Sequence, residues 1–422
     1  MIKRRYTLTI IELLLCIGWA YAQTPSTSVK PTPARTWTVT NGTELEAIAT
    51  GFDNGGVTFR NRQGTISKVP LTTLSEADQT YLKEFFAPPP PAFPLGQPAG
   101  PVDTGEGTTY HVYLSANLDN SIPVPLLVFT GAGGGKANSY KHYQEAIDHF
   151  GWAFIAVTES KNGNDGDVNF SHTKKAMEHA VKTLNIDSKR VYYTGNSGGG
   201  AMAFYNACSL KGQGAIPIIA YIPGPANIEP PHGYFYVVGG AKDYNRYLSA
   251  RASKAFGKKS VHRFHSGGHS TGPAWILCDG VAWLETQYFM DRSNRVSPTR
   301  RAKFQEKMLS WINTLETSEP HRAYYWALFM NKEYKVNGPH ADGIRLAGRT
   351  LAKDPKNRKF AAGLDALDEF SEKVYGEVGG GSSFNHITPE IQDAAKKLAE
   401  TYAGTPAIED IAKALGEPTV GN

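Results

Sequence analysis

Cysteine, charge of a single sign and long apolar runs are all scarce in this chain, and each shortage excludes something. With 3 cysteines in 422 residues, no disulfide framework can organise the fold. Lys and Arg number 44 against 39 Asp and Glu, with no basic stripe, so a nucleic-acid grip built on phosphate neutralisation is excluded. Beyond the N-terminal segment no apolar run approaches the roughly 20 residues that cross a bilayer, so no stable membrane span is expected in the mature chain. What the chain does contain is ordinary for a globular protein: 41% hydrophobic and 20% charged residues, and length for two or three domains. Its 43 glycines and 26 prolines suit long loops.

Lys3-Arg4-Arg5 precedes the apolar run from Leu8 to Trp19, and Ala20-Tyr21-Ala22 ahead of Gln23 has the small-x-small form of a signal-peptidase site. Residues 1–22 are therefore expected to be a cleaved signal peptide, and the protein secreted or periplasmic. Thr7 to Leu14 also has the form of a prepilin start and Cys16 that of a lipoprotein cysteine, although Leu15 is too large for the latter. Removing Lys3, Arg4, Arg5 and Glu12 leaves the mature net charge at +3 instead of +5. Cys208 and Cys278 remain, each in a helical pattern, and are expected as two free buried thiols, with a disulfide still compatible with export.

Residues 35–86 alternate short strand patterns with turns: Thr36 to Thr40, Glu44 to Gly51, Val57 to Arg60 and Thr65 to Pro70, broken at Asn41-Gly42, Asn54-Gly55-Gly56 and Gln63-Gly64. A helix follows, with Ser75 as its N-cap and acids in its first turn. Pro88 to Pro91, with Pro94, Pro98 and Pro101, then reads as a stiff linker over 87–102. Arg35-Thr36-Trp37, Gly55 to Phe59, Val69-Pro70-Leu71, Leu74-Ser75, Asp78-Gln79 and Tyr81-Leu82 together resemble homology domain 1 of a yeast endocytic adaptor, a small SH3-like β-barrel with similar copies in exported planctomycete and verrucomicrobial proteins. The resemblance implies a binding or spacer role, with a peptide or envelope partner, and no catalytic group.

From Thr108 onward extended apolar runs alternate with helical ones, which predicts a mostly parallel sheet covered by helices on both faces. Its centre is the run Arg190 to Thr194, which meets Gly195-Asn196-Ser197-Gly198-Gly199 and then an alanine-rich helical pattern. Strand, Gly-x-Ser-x-Gly turn and helix in that order describe a nucleophile elbow. Taken alone the turn reads equally well as a helix N-terminus capped by Ser197. The residues downstream decide between the two. A nucleophilic serine needs a base, and the base an acid. Only Glu229 and Asp243 stand between Ser197 and His269. Asp243, after the strand Tyr234 to Val238, is the favoured acid and Glu229, one strand earlier, the alternative. Of His262, His265 and His269, the last follows Ser266-Gly267-Gly268 in the loop before the final helix, where an imidazole can reach both partners. The loop Thr130 to Gly135 follows an earlier strand and can aim backbone N–H groups at an oxyanion, with Ala132 and Gly198 the expected donors. It is not a phosphate loop, because Lys136 is followed by Ala137 and no glycine stands five positions before Gly135.

Gly195 to Gly199, Gly239 to Asp243 and Gly267-Gly268-His269 together resemble the exported esterases of the α/β-hydrolase type: polyhydroxybutyrate-depolymerase, feruloyl-esterase and dienelactone-hydrolase-like proteins, over residues about 104 to 290. The resemblance implies an α/β-hydrolase domain at 103–316, a Ser197, Asp243, His269 triad, no cofactor, no metal, and an extracellular ester, small or polysaccharide-linked, as substrate. One departure is Thr130-Gly131 where His-Gly is usual in the oxyanion loop. The polar loop Thr158 to Phe170 is expected at the substrate rim, with Asp165 and Asp167 in a solvated turn rather than on a metal. Residues 319–422 read as an all-helical tail, its cluster Tyr324-Tyr325-Trp326 and Phe329 expected to pack rather than stack a sugar, and His321, His340 and His386 too scattered to ligate a metal. A serine peptidase of the same fold and a catalytically inactive envelope scaffold stay open beside the esterase.

Overall fold

The computed structural model of the protein describes residues 31–53, 56–87, 90–222, 233–375, 387–405 and 407–419. The chain divides into two compact units between residues 89 and 90. Residues 1–22, Glu229, His386 and the Asn54-Gly55 turn lie outside the described residues.

The smaller unit is an antiparallel ribbon of β1 (Arg35–Thr38), β2 (Glu44–Asp53), β3 (Gly56–Asn61) and β4 (Ile66–Pro70), paired in chain order. Alternation places Trp37, Ala47, Ala49, Val57 and Phe59 on one face. The helix α1 (Glu76–Phe85) closes that face with Leu82, its N-cap Ser75 accepting from the Asp78 amide. The segment after β4 returns to the one after β1: Val39 bridges Leu74, and the Ser75 amide donates to the Thr38 carbonyl at 2.7 Å.

The larger unit carries β5 (Pro98–Asp103), β6 (Thr109–Leu114), β7 (Val124–Gly131), β8 (Ala153–Val157), β9 (Ile186–Asn196), β10 (Gly214–Ile218), β11 (Tyr234–Gly240) and β12 (Ser260–His265). They form one sheet in the order β12-β11-β10-β9-β7-β8-β6-β5. Only β6 runs against its neighbours, and all other pairs except β5 with β6 are parallel. That strand order, with the second strand reversed, is the α/β-hydrolase fold. β5 begins inside the proline-rich stretch read as linker. An edge strand tolerates Pro98 and Pro101 because one side of its ladder has no partner, so composition alone hides it.

Each central strand is buried on both faces, as continuous apolar runs require. Leu127, Phe154 and Tyr192 enter one core, with α2 (Gln144–Phe150) above them, while Leu126, Ile155 and Tyr193 enter the other, with α3 (Gly166–Thr183) and α4 (Gly198–Ser209). α3 starts seven residues earlier than its apolar periodicity suggests: Asp165 is the N-cap and Asp167 an acid in the first turn, so a polar run expected as loop is partly helix. α5 (Arg246–Phe256) and α6 (Ala274–Met290) complete the layers. Cys208 belongs to one face and is half-buried, whereas Cys278 is buried in the other; both are free.

The helices that follow are α7 (Pro298–Ser318), α8 (Pro320–Lys332), α9 (Ala341–Leu351), α10 (Pro355–Phe370), α11 (Pro389–Thr401) and α12 (Ile408–Leu415). They share one apolar core with α2, α6 and the sheet face beneath. Buried charges fasten them: Arg322 on α8 pairs with Asp279 on α6 at 2.7 Å, and Arg263 on β12 with Asp368 on α10. Trp326 donates to the same Asp279 at 2.8 Å and Tyr325 accepts from Arg263 at 3.1 Å, so this aromatic cluster packs the tail onto the sheet layer.

Candidate active site

β9 ends at Asn196 and α4 begins at Gly198, leaving Ser197 alone in the turn. Its backbone has φ +55° and ψ −123°, a conformation that costs a non-glycine residue on the order of 1–3 kcal/mol and is held only by its surroundings. Those surroundings are close. A Cβ at Gly195 or at Gly199 would lie 2.1 Å from the Thr130 carbonyl oxygen, so neither position admits a side chain. The Ser197 amide donates to the Ile218 carbonyl at 3.0 Å, and the Thr130 hydroxyl donates to the Gly199 carbonyl at 2.9 Å. Thr130, the departure from the usual His, thus braces the elbow.

Asp243 stands beyond the end of β11 in a tight turn, its amide donating to the Gly240 carbonyl at 3.0 Å. The loop after β12 is stitched to it: the Ala241 amide donates to the His265 carbonyl at 2.8 Å and the Lys242 amide to the Gly267 carbonyl at 3.0 Å. His269 is delivered by the second loop. Its Nδ1 lies 2.9 Å from Asp243 Oδ1 and its Nε2 2.8 Å from Ser197 Oγ. With Nδ1–H donating to the carboxylate, Nε2 is free to accept from the serine hydroxyl. Asp243 is buried, and Oδ1 also accepts the Asn245 amide at 3.0 Å, while Oδ2 has no partner among the described residues. Burial raises its carboxyl above the ordinary 3.8, an effect opposed by the Asn245 amide, His269 and Arg246.

The other two histidines stand elsewhere. His262 is buried, 3.1 Å from Ser249 Oγ and bonded through Nδ1 to Ser371 Oγ at 2.5 Å. His265 is a brace for the loop that carries His269: its Nδ1 accepts the Gly267 amide and its Nε2 donates to the Ser270 carbonyl, both at 3.1 Å. Burial pushes His265 down to about 4 and His262 to about 3, so both are neutral at pH 7.

Ala132 is the first residue past β7 and Gly198 the first of α4. Gly134 lies so close to the end of the neighbouring strand that a Cβ would meet the Thr158 carbonyl oxygen at 2.3 Å, which explains the glycine run there. Two further residues join the site. The Asn162 amide donates to the Ala132 carbonyl at 2.9 Å, and its carboxamide covers Gly198, where a Cβ would be 2.0 Å from Oδ1. Tyr244 stacks on His269 with ring centroids 4.4 Å apart and planes within 18°, and its hydroxyl is 3.0 Å from Nε2. The polar composition of 158–170 points toward Asn162, but only the fold lays it on Gly198. For Tyr244 the one available signal is its place directly after Asp243.

No protein-family model matches the chain, and no curated protein does. Similar solved structures include an esterase of Pyrobaculum calidifontis, at 12% identity and a TM-score of 0.38 over 46% of this chain and 87% of that one. Others are an acetyl xylan esterase of Aspergillus awamori, at 14% and 0.33 over 38% and 80%, and an S-formylglutathione hydrolase of Staphylococcus aureus, at 12% and 0.34 over 46% and 98%. The fold assignment rests on this chain's own strand order.

Proposed function

We propose that the protein is an exported serine hydrolase acting on carboxylic esters. One observation carries the reading: an unbroken hydrogen-bonded line from Ser197 Oγ through His269 to a buried Asp243, with the serine on a strained elbow. In this reading Ser197 attacks the ester carbonyl as His269 Nε2 takes its proton, and Asp243 holds the imidazole and balances its charge. The amides of Ala132 and Gly198 receive the oxyanion, each such donor contributing about 3 kcal/mol of transition-state stabilisation. His269 then protonates the departing alcohol, and water releases the acyl group by the reverse path. The chain needs no metal or cofactor for this chemistry. The substrate class is an extracellular ester, small or polysaccharide-linked, and the smaller unit serves as a binding or spacer module for an envelope or peptide partner. Among the described residues no helix is long and apolar enough to cross a membrane.

The test is hydrolysis of p-nitrophenyl acetate and butyrate by the mature protein beside Ser197→Ala, matched for folding by circular dichroism. Loss of turnover by about 10⁴-fold or more is expected. Equal rates in both proteins, with no fluorophosphonate label on Ser197, would leave the scaffold reading in its place. Aminoacyl amides in the same assay separate a peptidase from an esterase.

A further inference from the structure

Both in-plane bonds of His269 are taken, since Nδ1 meets Asp243 and Nε2 meets Ser197. What remains of the ring is its two faces. The phenol of Tyr244 lies over one of them, with centroids 4.4 Å apart, planes within 18° and the hydroxyl oxygen 3.0 Å from Nε2. A hydroxyl over the face can neither give a proton to the in-plane lone pair nor take one from the N–H bond. What reaches it is the charge of the ring. The face of a phenol and its oxygen are both electron-rich, so a cation stacked on them is attracted while a neutral imidazole gains much less. Water competes weakly for that cation, because the His269 side chain is only 10% exposed. Burial first and the Asp243 carboxylate next raise the phenol above its ordinary 10, Ser197 opposes them, and Tyr221 adds least, so the phenol is neutral at pH 7 and acts through its electron cloud. The other charged groups around this loop are turned to partners of their own. Lys242 pairs with Glu417 at 2.6 Å, Arg246 donates to the Ala241 and Glu417 carbonyls at 2.7 and 2.8 Å, and His265 is neutral.

We propose that Tyr244 is a positioning residue whose stacked ring stabilises the imidazolium that His269 becomes in each half of the reaction, and this rests on the serine-hydrolase reading. Asp243 balances that charge from the edge of the ring, through Nδ1–H, and Tyr244 from its face. The two act at right angles and do not compete for the same atom. No proton passes through the phenol: Nε2 takes the serine proton and hands it to the leaving alcohol in the plane of the ring, and Tyr244 lowers the cost of holding it in between. In deacylation the same cation forms again when Nε2 takes a proton from water, so the stack serves both steps.

The test is the pH profile of kcat/KM for p-nitrophenyl butyrate with wild type, Tyr244→Leu and Tyr244→Phe. The reaction needs a neutral His269 in the free enzyme, so the rate falls as pH drops through the titration of the imidazole. A stack that favours the charged ring holds this acid limb up. Tyr244→Leu is therefore expected to move the limb down by about 0.3–0.7 pH units, and to lower the plateau about two- to fivefold because the same cation forms in the transition state. Tyr244→Phe keeps a ring over the imidazole and should show less than half of that limb shift. A lower plateau with the limb in place is what a merely structural role gives. That result, a limb that moves up, or equal shifts in the two variants overturns the proposal. A second measurement needs no turnover: NMR titration of the His269 ring in Ser197→Ala, its signal identified by its absence when His269→Gln is added, should show the same downward displacement on adding Tyr244→Leu, and an unmoved titration overturns the stack. Ser197→Ala alone separates the two readings. If it leaves ester hydrolysis intact, the serine-hydrolase reading itself is wrong; if it abolishes hydrolysis while Tyr244→Leu leaves the limb in place, only the role of Tyr244 falls.

Discussion

His265 shows how one side chain outside the proposed triad ties folding stability to pH. Both its ring nitrogens are spent on the loop that delivers His269, and burial holds it neutral down to about 4, where an unfolded imidazole would charge near 6.5. Between those two values the unfolded chain binds a proton that the folded chain does not. The contribution is thus complete above pH 6.5 and drains away as pH falls toward 4, at up to about 1.4 kcal/mol per pH unit. His265→Gln, which keeps a donor and an acceptor but cannot charge, should make urea unfolding less sensitive to a change from pH 7.5 to 5.0 than in wild type. An equal pH dependence in the two proteins would show that His265 does not carry it. Asp243 has the opposite sign, because its raised carboxyl favours the folded state at low pH, but that effect is common to both proteins and cancels in the comparison.

At the scale of elements, α6 explains why the tail is where it is. Every residue from Ile276 to Phe289 is buried, so this helix has no solvent face and must be covered on both sides, by the sheet below and the tail above. Asp279 and Arg322 meet inside that seam with almost no exposure. Asp279→Ala leaves the buried Arg322 guanidinium with the half-buried Glu319 as its remaining carboxylate and takes away the Trp326 acceptor, and is expected to cost about 3 kcal/mol in urea unfolding. The paired change Asp279→Leu with Arg322→Met should cost clearly less than that single one. If it costs as much, the pair stabilises rather than merely matches its surroundings. The same seam marks the limit of what the sequence makes legible. β9, the elbow and α4 are readable because strand, glycine turn and helix are local, and the order Ser197, Asp243, His269 confines the candidates to a few residues. The docking of the tail is hidden because Arg263 and Arg322 look like surface residues until partners far along the chain bury them. The start of α3 is hidden for the converse reason, since its first turns are polar. Tyr244 and Asn162 escape because neither belongs to a motif, and stacking on an imidazole or covering a glycine are facts of tertiary structure.

For the whole molecule, the division at residue 89 separates cores that share no cluster: Trp37 to Phe86 supply one, and the others begin at Phe93. A chain beginning at Pro90 should therefore retain p-nitrophenyl butyrate turnover within about twofold and unfold at the same urea midpoint, as independent domains do. A large loss of either would mean that the smaller unit supports the hydrolase directly. The tail is the reverse case, continuous with the hydrolase core and clasped to its acid loop. The Glu417 carbonyl accepts from Arg246 at 2.8 Å and its carboxylate pairs with Lys242 at 2.6 Å, on either side of Asp243 and Tyr244. During synthesis the elbow and His269 leave the ribosome well before Glu417 does. The nascent chain thus presents the Lys242 to Arg246 loop for some time before the residue that clasps it from both sides has been made.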